Sequence, residues 1–451
     1  MIQRANVVSI GRSKAPPPAL GAGLLLFAVA FALRAAYVLV AAGPHATPAS
    51  DAVEYDTVAW NLARGAGVSF GGAGGTWPTA FVPPLMPWII SLLYRVIGHH
   101  YFGALLLQCA IGALVPLLLV ALGDALHGGG IGRIAGWLAA VHPLLVFFSG
   151  YLLTETTFCV MLLLALVAAA DWIKTPRPGR AFGTGILCGL AALTRPPALM
   201  LPALLAVWSW SPLGLTLAAR DRVRQIALLF LGLVLAVGPW TLRNAAVFHA
   251  FVPVTTGAGR ALLDSNNPVV WNDPARRGGA NFSFSLEPWA SAVRGKTEIE
   301  ADAYGRAQAY AFLRGHVREW PAMALAKLGR FWRITAEGSG TGAWQRAGSP
   351  LEGWLKRLDP LLIWSLVVLP LAIWGLVRTL RGARRWFQAL SVLVILYFTL
   401  GALVFWGALR MRLPIEPLVV LLAAVGVDDV RRRLRGRSHG LRVVEGRRKT
   451  G

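Results

Sequence analysis

Uninterrupted apolar runs recur along almost the whole of this chain, and several are as long as a bilayer's hydrocarbon core is thick. The first, Leu20–Ala42, is interrupted only by Arg34. A helical crossing takes about 20 residues. Inside hydrocarbon every backbone N–H and C=O must be satisfied within the protein, so only helix bundles and closed barrels span it. Barrel strands are short and alternate apolar with polar residues, whereas these runs are continuous. The expectation is therefore an all-α polytopic membrane protein. Composition agrees: 56% of residues are hydrophobic and 14% charged, with a mean hydropathy of +0.57, against about 25% charged in soluble domains. Leu20–Ala42 is too long for a signal-peptide core of about 7–15 residues. Ala46-Thr47-Pro48-Ala49 resembles a cleavage site only loosely, so the run reads as an uncleaved span. Cys109, Cys159 and Cys188 all sit in apolar runs, without disulfide or zinc spacing, and read as core.

A net charge of +23 would suggest nucleic acid in a soluble protein, but its distribution argues otherwise. Arg4, Arg12 and Lys14 precede the first span; Lys174, Arg177 and Arg180 share one connection; Arg220, Arg222 and Arg224 another. Arg378, Arg381, Arg384 and Arg385 fill a fourth, and Arg431–Arg435 begin a basic tail. These are alternate connections, as the positive-inside rule requires, so the charge encodes topology and no nucleic-acid partner is expected. The resulting map has a cytoplasmic tail at residues 1–19 and a transmembrane module at 20–243 with an external loop at 43–83. An external segment follows at 244–357, then transmembrane helices at 358–427 and a basic cytoplasmic tail at 428–451. Ten spans are expected: Leu20–Ala42, Tyr101–Leu126, Ile134–Tyr151, Glu155–Ile173, Ala181–Thr194, Pro197–Trp210, Ile226–Arg243, Leu358–Val377, Trp386–Trp406 and Leu413–Val427. Pro84–Ile97 is apolar but short and suits a re-entrant or interfacial element.

On this map Asp51, Glu155, Arg195, Arg243, Arg410 and Arg412 all fall on the external side. Acids at a membrane boundary are functional candidates, because an ionisable group in a spanning helix costs about 2.5–3.5 kcal/mol on insertion scales. Each has a plainer reading. Asp51 opens a predicted helix, Asp51–Arg64, and with Glu54 matches a capping box. Thr154 and Glu155 match an N-cap and a dipole-favoured acid. The arginines could snorkel, as Arg34 is expected to do. Yet several arginines on the side that should be poor in them need an anion, and a planar fork suits phosphate. There is no Walker loop, no His/Cys metal array and no Gly-x-Ser-x-Gly elbow.

The ordered motifs Ser50-Asp51…Tyr55…Leu62-Ala63-Arg64-Gly65, Pro83-Pro84-Leu85-Met86-Pro87, Leu153-Thr154-Glu155, Leu193-Thr194-Arg195-Pro196, Pro239-Trp240-Thr241-Leu242-Arg243-Asn244 and Arg410-Met411-Arg412-Leu413-Pro414 resemble those of family 39 glycosyltransferases of the GT-C fold. This group includes the protein O-mannosyltransferases and the lipid A aminoarabinose transferase. The resemblance implies a GT-C-like bundle, a sugar donor on a polyprenyl phosphate, a lipid, polysaccharide or protein acceptor, and inversion at the anomeric carbon. It implies a bacterial inner membrane with the site on its external face. Asp51 would match the catalytic acid and Glu155 a second acid beside it. Tyr55, Arg195, Arg243, Asn244, Arg410 and Arg412 would bind substrate, the arginines holding the lipid phosphate. A divalent cation between acid and phosphate stays open. One departure is Val82, where the family usually has a basic residue before the Pro-Pro pair; Arg64 or another arginine would have to replace it.

Displacing a phosphate from an anomeric carbon needs a base for the nucleophile's proton and cations for the departing charge. Asp51 fits the first need and the arginines the second. A transporter or lipid-linked-sugar flippase is the alternative, with the same acids coupling protons. It predicts polar residues at the bilayer midplane and paired broken helices; here polar groups gather at one rim.

Overall fold

The computed structural model describes residues 20–128, 130–210, 217–333, 360–382 and 385–448. The expected tail at 1–19, with Arg4, Arg12 and Lys14, lies outside them, as does the end of the expected external segment at 334–357. The protein is helical almost throughout. First come α1 (Leu20–Ala41), α2 (Asp51–Ala63), α3 (Leu85–Ile97), α4 (Tyr101–Gly112), α5 (Leu114–Leu126), α6 (Ile131–Ala140) and α7 (Pro143–Phe147). Next are α8 (Thr154–Lys174), α9 (Pro178–Ala192), α10 (Leu201–Ser209) and α11 (Ala219–Phe248). The segment beyond holds α12 (Ala258–Ser265), α13 (Pro268–Asn272), α14 (Trp289–Val293), α15 (Glu298–Gly315) and α16 (Trp320–Phe331). The chain closes with α17 (Pro360–Arg381), α18 (Arg385–Gln388), α19 (Leu390–Val404), α20 (Leu409–Arg412) and α21 (Glu416–Arg448).

Among the described residues five helices are long and apolar enough to cross a membrane: Leu20–Ala41, Tyr101–Leu126, Thr154–Lys174, Ala219–Phe248 and Leu362–Arg381. A sixth is counted if Ile131–Ala140 and Pro143–Gly150, bent by 49° at their junction, form one span. Pro143 explains the bend, because it cannot donate into a continuing helix; His142 instead caps the new turn at Leu144 N, 3.1 Å away. Leu85–Ile97, Pro196–Ser209 and Leu390–Val404 are shorter apolar helices. The expected span Ala181–Thr194 corresponds to the 15-residue α9, which stops before the Pro196-Pro197 pair.

α8 lies at the centre, buried on nearly every side, as a helix apolar all round should be. α9 and α11 cross in close contact through glycine. A Cβ on Gly185 would lie 1.9 Å from the Leu229 carbonyl oxygen, and one on Gly232 2.3 Å from that of Phe182. Small residues of this kind let membrane helices approach backbone to backbone. α1 buries a single stripe of Leu26, Ala30, Arg34 and Val38. Arg34 therefore does not snorkel, contrary to expectation. It is 0% exposed, and its Nη1 donates to the carbonyls of Ala30 at 2.9 Å and Ala140 at 3.2 Å. The helix is apolar on every side, so nothing in its periodicity marks the inward face.

The strands are a hairpin in the first loop, β1 (Ser69–Gly72) against β2 (Gly75–Pro78). Asn61 on α2 donates to Ser69 O at 2.8 Å and Gly71 O at 3.2 Å, fastening the hairpin to that helix.

Candidate functional site

α2 and α8 present their first turns to the same place. The α8 turn is built by Gln108, whose Nε2 donates to the carbonyls of Phe148, Ser149 and Tyr151 and so shapes the chain just before Leu153. Leu153, not Thr154, occupies the N-cap, and no side chain caps there. Glu155 is then in the first helical turn, 0% exposed. On α2 the N-cap is Ser50, with a positive φ of 53° and without a side-chain cap bond. The capping readings of Asp51 and Thr154 are thus both displaced by one residue, which leaves the two carboxylates available for longer-range partners.

Those partners are arginines. Arg410 on α20 donates Nε to Glu155 and Nη1 to Asp51, so one guanidinium bridges two acids that are distant in sequence. Arg195, in the extended turn after α9, approaches Glu155 with Nη1 at 2.7 Å as an ion pair. The same turn holds the start of α3, because Leu85 N donates to Leu193 O at 3.1 Å. Four charges from four remote stretches therefore converge. The second Glu155 oxygen, Oε2, is buried with no hydrogen-bond partner.

The electrostatics follow from burial and neighbours. Burial disfavours the Arg410 cation, but Glu155 and then Asp51 outweigh it and raise the guanidinium's hold on its proton. Burial pushes the Tyr55 phenol up to about 12, so it is a hydroxyl donor and not a base. Glu54, one turn along α2 from Asp51, is pushed up to about 7, first by burial and then by the Asp51 charge.

The other expected site residues do different work. Arg243 spends Nη2 on Val68 O at 3.0 Å and Nη1 on Thr79 O at 2.9 Å, bracketing the hairpin from both ends. Its guanidinium also stacks on Trp240. Asn244 donates to Val252 O at 3.0 Å, and Trp240 Nε1 to Val254 O at 2.6 Å. The Pro239–Asn244 motif thus fastens the first loop and the chain leaving α11. Arg412 turns away from Arg410, as residues two apart on a helix must. It pairs with Glu416, which also contacts His142 Nε2 at 3.1 Å. Neither Arg243 nor Arg412 shares a partner with the four-residue cluster. Val82 is buried, and Arg64 lies exposed at the α2 C-cap.

Gln108, Glu54 and the His142–Glu416 contact carried little signal in the sequence. Gln108 and His142 are lone polar residues in apolar runs, and Glu54 was read as a capping partner. Among the described residues no group of three or more His, Cys, Asp or Glu could hold a metal ion. Asp51 and Glu155 share the guanidinium of Arg410.

Residues 82–241 match the family described as dolichyl-phosphate-mannose-protein mannosyltransferase. The match includes Glu155 and Arg195 and lies between Asp51 and Arg410. No curated protein matches the chain. Among solved structures, it is similar to the oligosaccharyltransferase of Archaeoglobus fulgidus tethered to an acceptor peptide, at 11% identity and a TM-score of 0.54, covering 91% of this chain and 50% of that one. The same enzyme, AglB, with an inhibitory peptide and a dolichol-phosphate matches at 13% identity and a TM-score of 0.55, covering 94% and 51%. ArnT from Cupriavidus metallidurans bound to undecaprenyl phosphate matches at 15% identity and a TM-score of 0.43, covering 91% and 78%. The chain spans about half the length of the oligosaccharyltransferase it resembles. Residues 82–241 thus match the model of a glycosyltransferase family, within a multi-pass membrane chain that shares the GT-C fold of these oligosaccharyltransferase structures.

Proposed function

We propose that the protein moves a sugar from a polyprenyl-phosphate donor to an acceptor at the end of the bundle where α2 and α8 begin. The charge pattern of the loops supports placing that end on the external face of the membrane. The observation that carries the reading is the single guanidinium of Arg410 shared between Asp51 and Glu155. In such an arrangement the cation is held ready by acids, and the anionic phosphodiester of an incoming donor can compete for it.

When Arg410 turns to the donor phosphate, Asp51 loses its counter-ion and becomes free to act as a base. The acceptor oxygen attacks the anomeric carbon from the face opposite the phosphate, which inverts that centre. The acceptor O–H bond breaks and its proton passes to Asp51. The anomeric C–O bond breaks, and its electron pair leaves on the lipid phosphate, where Arg410 and Arg195 stabilise it. Tyr55, one turn from Asp51, offers a hydroxyl to the sugar. Arg243 and Asn244 act at one remove by holding the first loop in place, and Arg412 by bracing α20. If the acceptor is itself a phosphate, no base is needed and Asp51 only positions it.

Two substrate measurements test this. Purified protein in lipid nanodiscs should release polyprenyl phosphate from one or more members of a panel of polyprenyl-phosphate hexoses and pentoses. Asp51→Asn should slow transfer by about 10²–10⁴-fold, the usual worth of a general base, with normal insertion and folding. Transfer at the wild-type rate in folded Asp51→Asn protein would remove Asp51 from the chemistry.

A further inference from the structure

Every other acid that meets α2, α8 or the loop beside them is committed. Asp51 is held by Arg410, and Glu155 by Arg195 and Arg410. Glu298 of α15 accepts from Thr79 Oγ1 and from Ala80 N, the latter at 3.0 Å. Glu54 is the exception: half-buried, one helical turn from Asp51, and without a hydrogen bond or ion pair among the described residues. Residues three apart on a helix are neighbours about 5–6 Å apart at Cβ. The charged groups acting on Glu54 are Asp51 from its own helix, Arg260 from α12 and Arg410 from α20. On α3, which packs against α2, the ionisable groups are turned elsewhere. Tyr94 donates to Asp56 at 2.6 Å, with His99 on the same carboxylate at 2.8 Å, and Arg95 donates to Leu62 O at 3.3 Å.

We propose that Glu54 accepts the proton from Asp51 after each transfer, so that Asp51 regains its charge and the Asp51–Arg410 ion pair can re-form. This rests on the reading of Asp51 as base. The step balances: the proton taken from the acceptor hydroxyl breaks its bond to Asp51 and binds a Glu54 oxygen. From there it leaves to water, since Glu54 is partly exposed and Arg260 adds positive charge beside it. Once the proton has left, Asp51 again offers Arg410 a charge, and the resting ion pair is restored. Burial and the Asp51 charge push Glu54 up to about 7, near the pH at which a group can both take and release a proton. Glu54 acts through Asp51 and is a proton-positioning residue.

The experiment is a pH–rate profile of sugar transfer by the full-length protein in nanodiscs, for wild type, Glu54→Gln, Glu54→Asp and Asp51→Asn. Wild-type kcat should rise as pH increases through about 7, where Glu54 ionises and becomes an acceptor. Glu54→Gln should lower kcat on the order of 10²-fold, leave the KM for donor lipid within twofold, and abolish that rise. Glu54→Asp, which keeps a carboxylate, should restore part of the rate and a rise at lower pH. A Glu54→Gln profile of wild-type shape overturns the relay, whatever its height. If Asp51→Asn is inactive in that experiment, the site reading stands without Glu54. If both variants transfer normally, the site reading itself fails.

Discussion

Arg410 and Asp51 lie 359 positions apart in the chain, and their side chains meet, Arg410 Nη1 on Asp51 Oδ2. Both are about one-third exposed, 31% each, whereas Glu155 on the other edge of the same guanidinium is fully buried. The asymmetry gives the cluster a fixed side and a replaceable side. Glu155 anchors the cation, and Asp51 is the partner an incoming anion can displace.

Arg195 and Arg410 should therefore carry the donor phosphate. A charge-assisted hydrogen bond in a partly desolvated site contributes about 1.5–3 kcal/mol, so Arg195→Ala and Arg410→Ala should each weaken donor binding roughly ten- to hundredfold. Lysine should rescue only in part, because a point charge cannot span two acceptors as the fork does. Arg378→Ala is the control: its partner is Asp429, at 3.0 Å in another region. Titration with polyprenyl phosphate followed by native mass spectrometry reads all of these, and an equal loss in Arg378→Ala would misplace the phosphate.

Arg243→Ala should act on folding of the first loop. It removes both clasps of the hairpin, at Val68 and Thr79, and protease cleavage within residues 69–78 should become faster while the spanning helices remain protected. Unchanged cleavage with a specific loss of donor affinity would return Arg243 to the phosphate.

Lys327 pins α16 to the end of α19. Its ammonium donates to Asn266 Oδ1 at 3.0 Å and to the carbonyls of Leu403 at 3.1 Å and Val404 at 3.4 Å. Lys327→Met leaves those acceptors buried and should cost about 1–3 kcal/mol. Burial pushes Lys327 down to about 8 from an ordinary 10.5. Between those values the unfolded chain binds more protons than the folded one, so stability should rise with pH across that window. Thermal unfolding at pH 7.5 and 9.5 should show the rise in wild type and not in Lys327→Met.

Topology is read by reporter fusions. Gly128, Thr175, Arg220 and Arg381 should report cytoplasmic, and Gly74 and Asn272 external. An external signal at Thr175 would put the acid–arginine cluster on the wrong face.

The cluster was legible in the sequence because acids at a membrane boundary are costly and arginines at external span ends run against the positive-inside rule. That argument found Asp51, Glu155, Arg195 and Arg410. It could not separate them from Arg243 and Arg412, because an arginine at a helix end serves a backbone carbonyl as well as it serves a phosphate. The sequence also could not show that Arg34 points inward, since α1 is apolar on all faces. The capping motifs misled by one residue: Ser50-Asp51 and Leu153-Thr154 satisfy the cap pattern in composition, while tertiary ion pairs claim the acids. Proline and short helices similarly obscured the bundle. Ten apolar stretches were readable, yet five or six of the described helices meet the length of a crossing.

The most direct test measures two quantities on one variant, Asp51→Asn: affinity for polyprenyl phosphate by native mass spectrometry, and sugar transfer from the same lipid carrier. Replacing the carboxylate releases Arg410 from its displaceable partner while removing the base. Asp51→Asn should then bind the lipid phosphate more tightly than wild type and transfer at least about 10²-fold more slowly. Weaker or unchanged binding together with wild-type transfer would contradict the account.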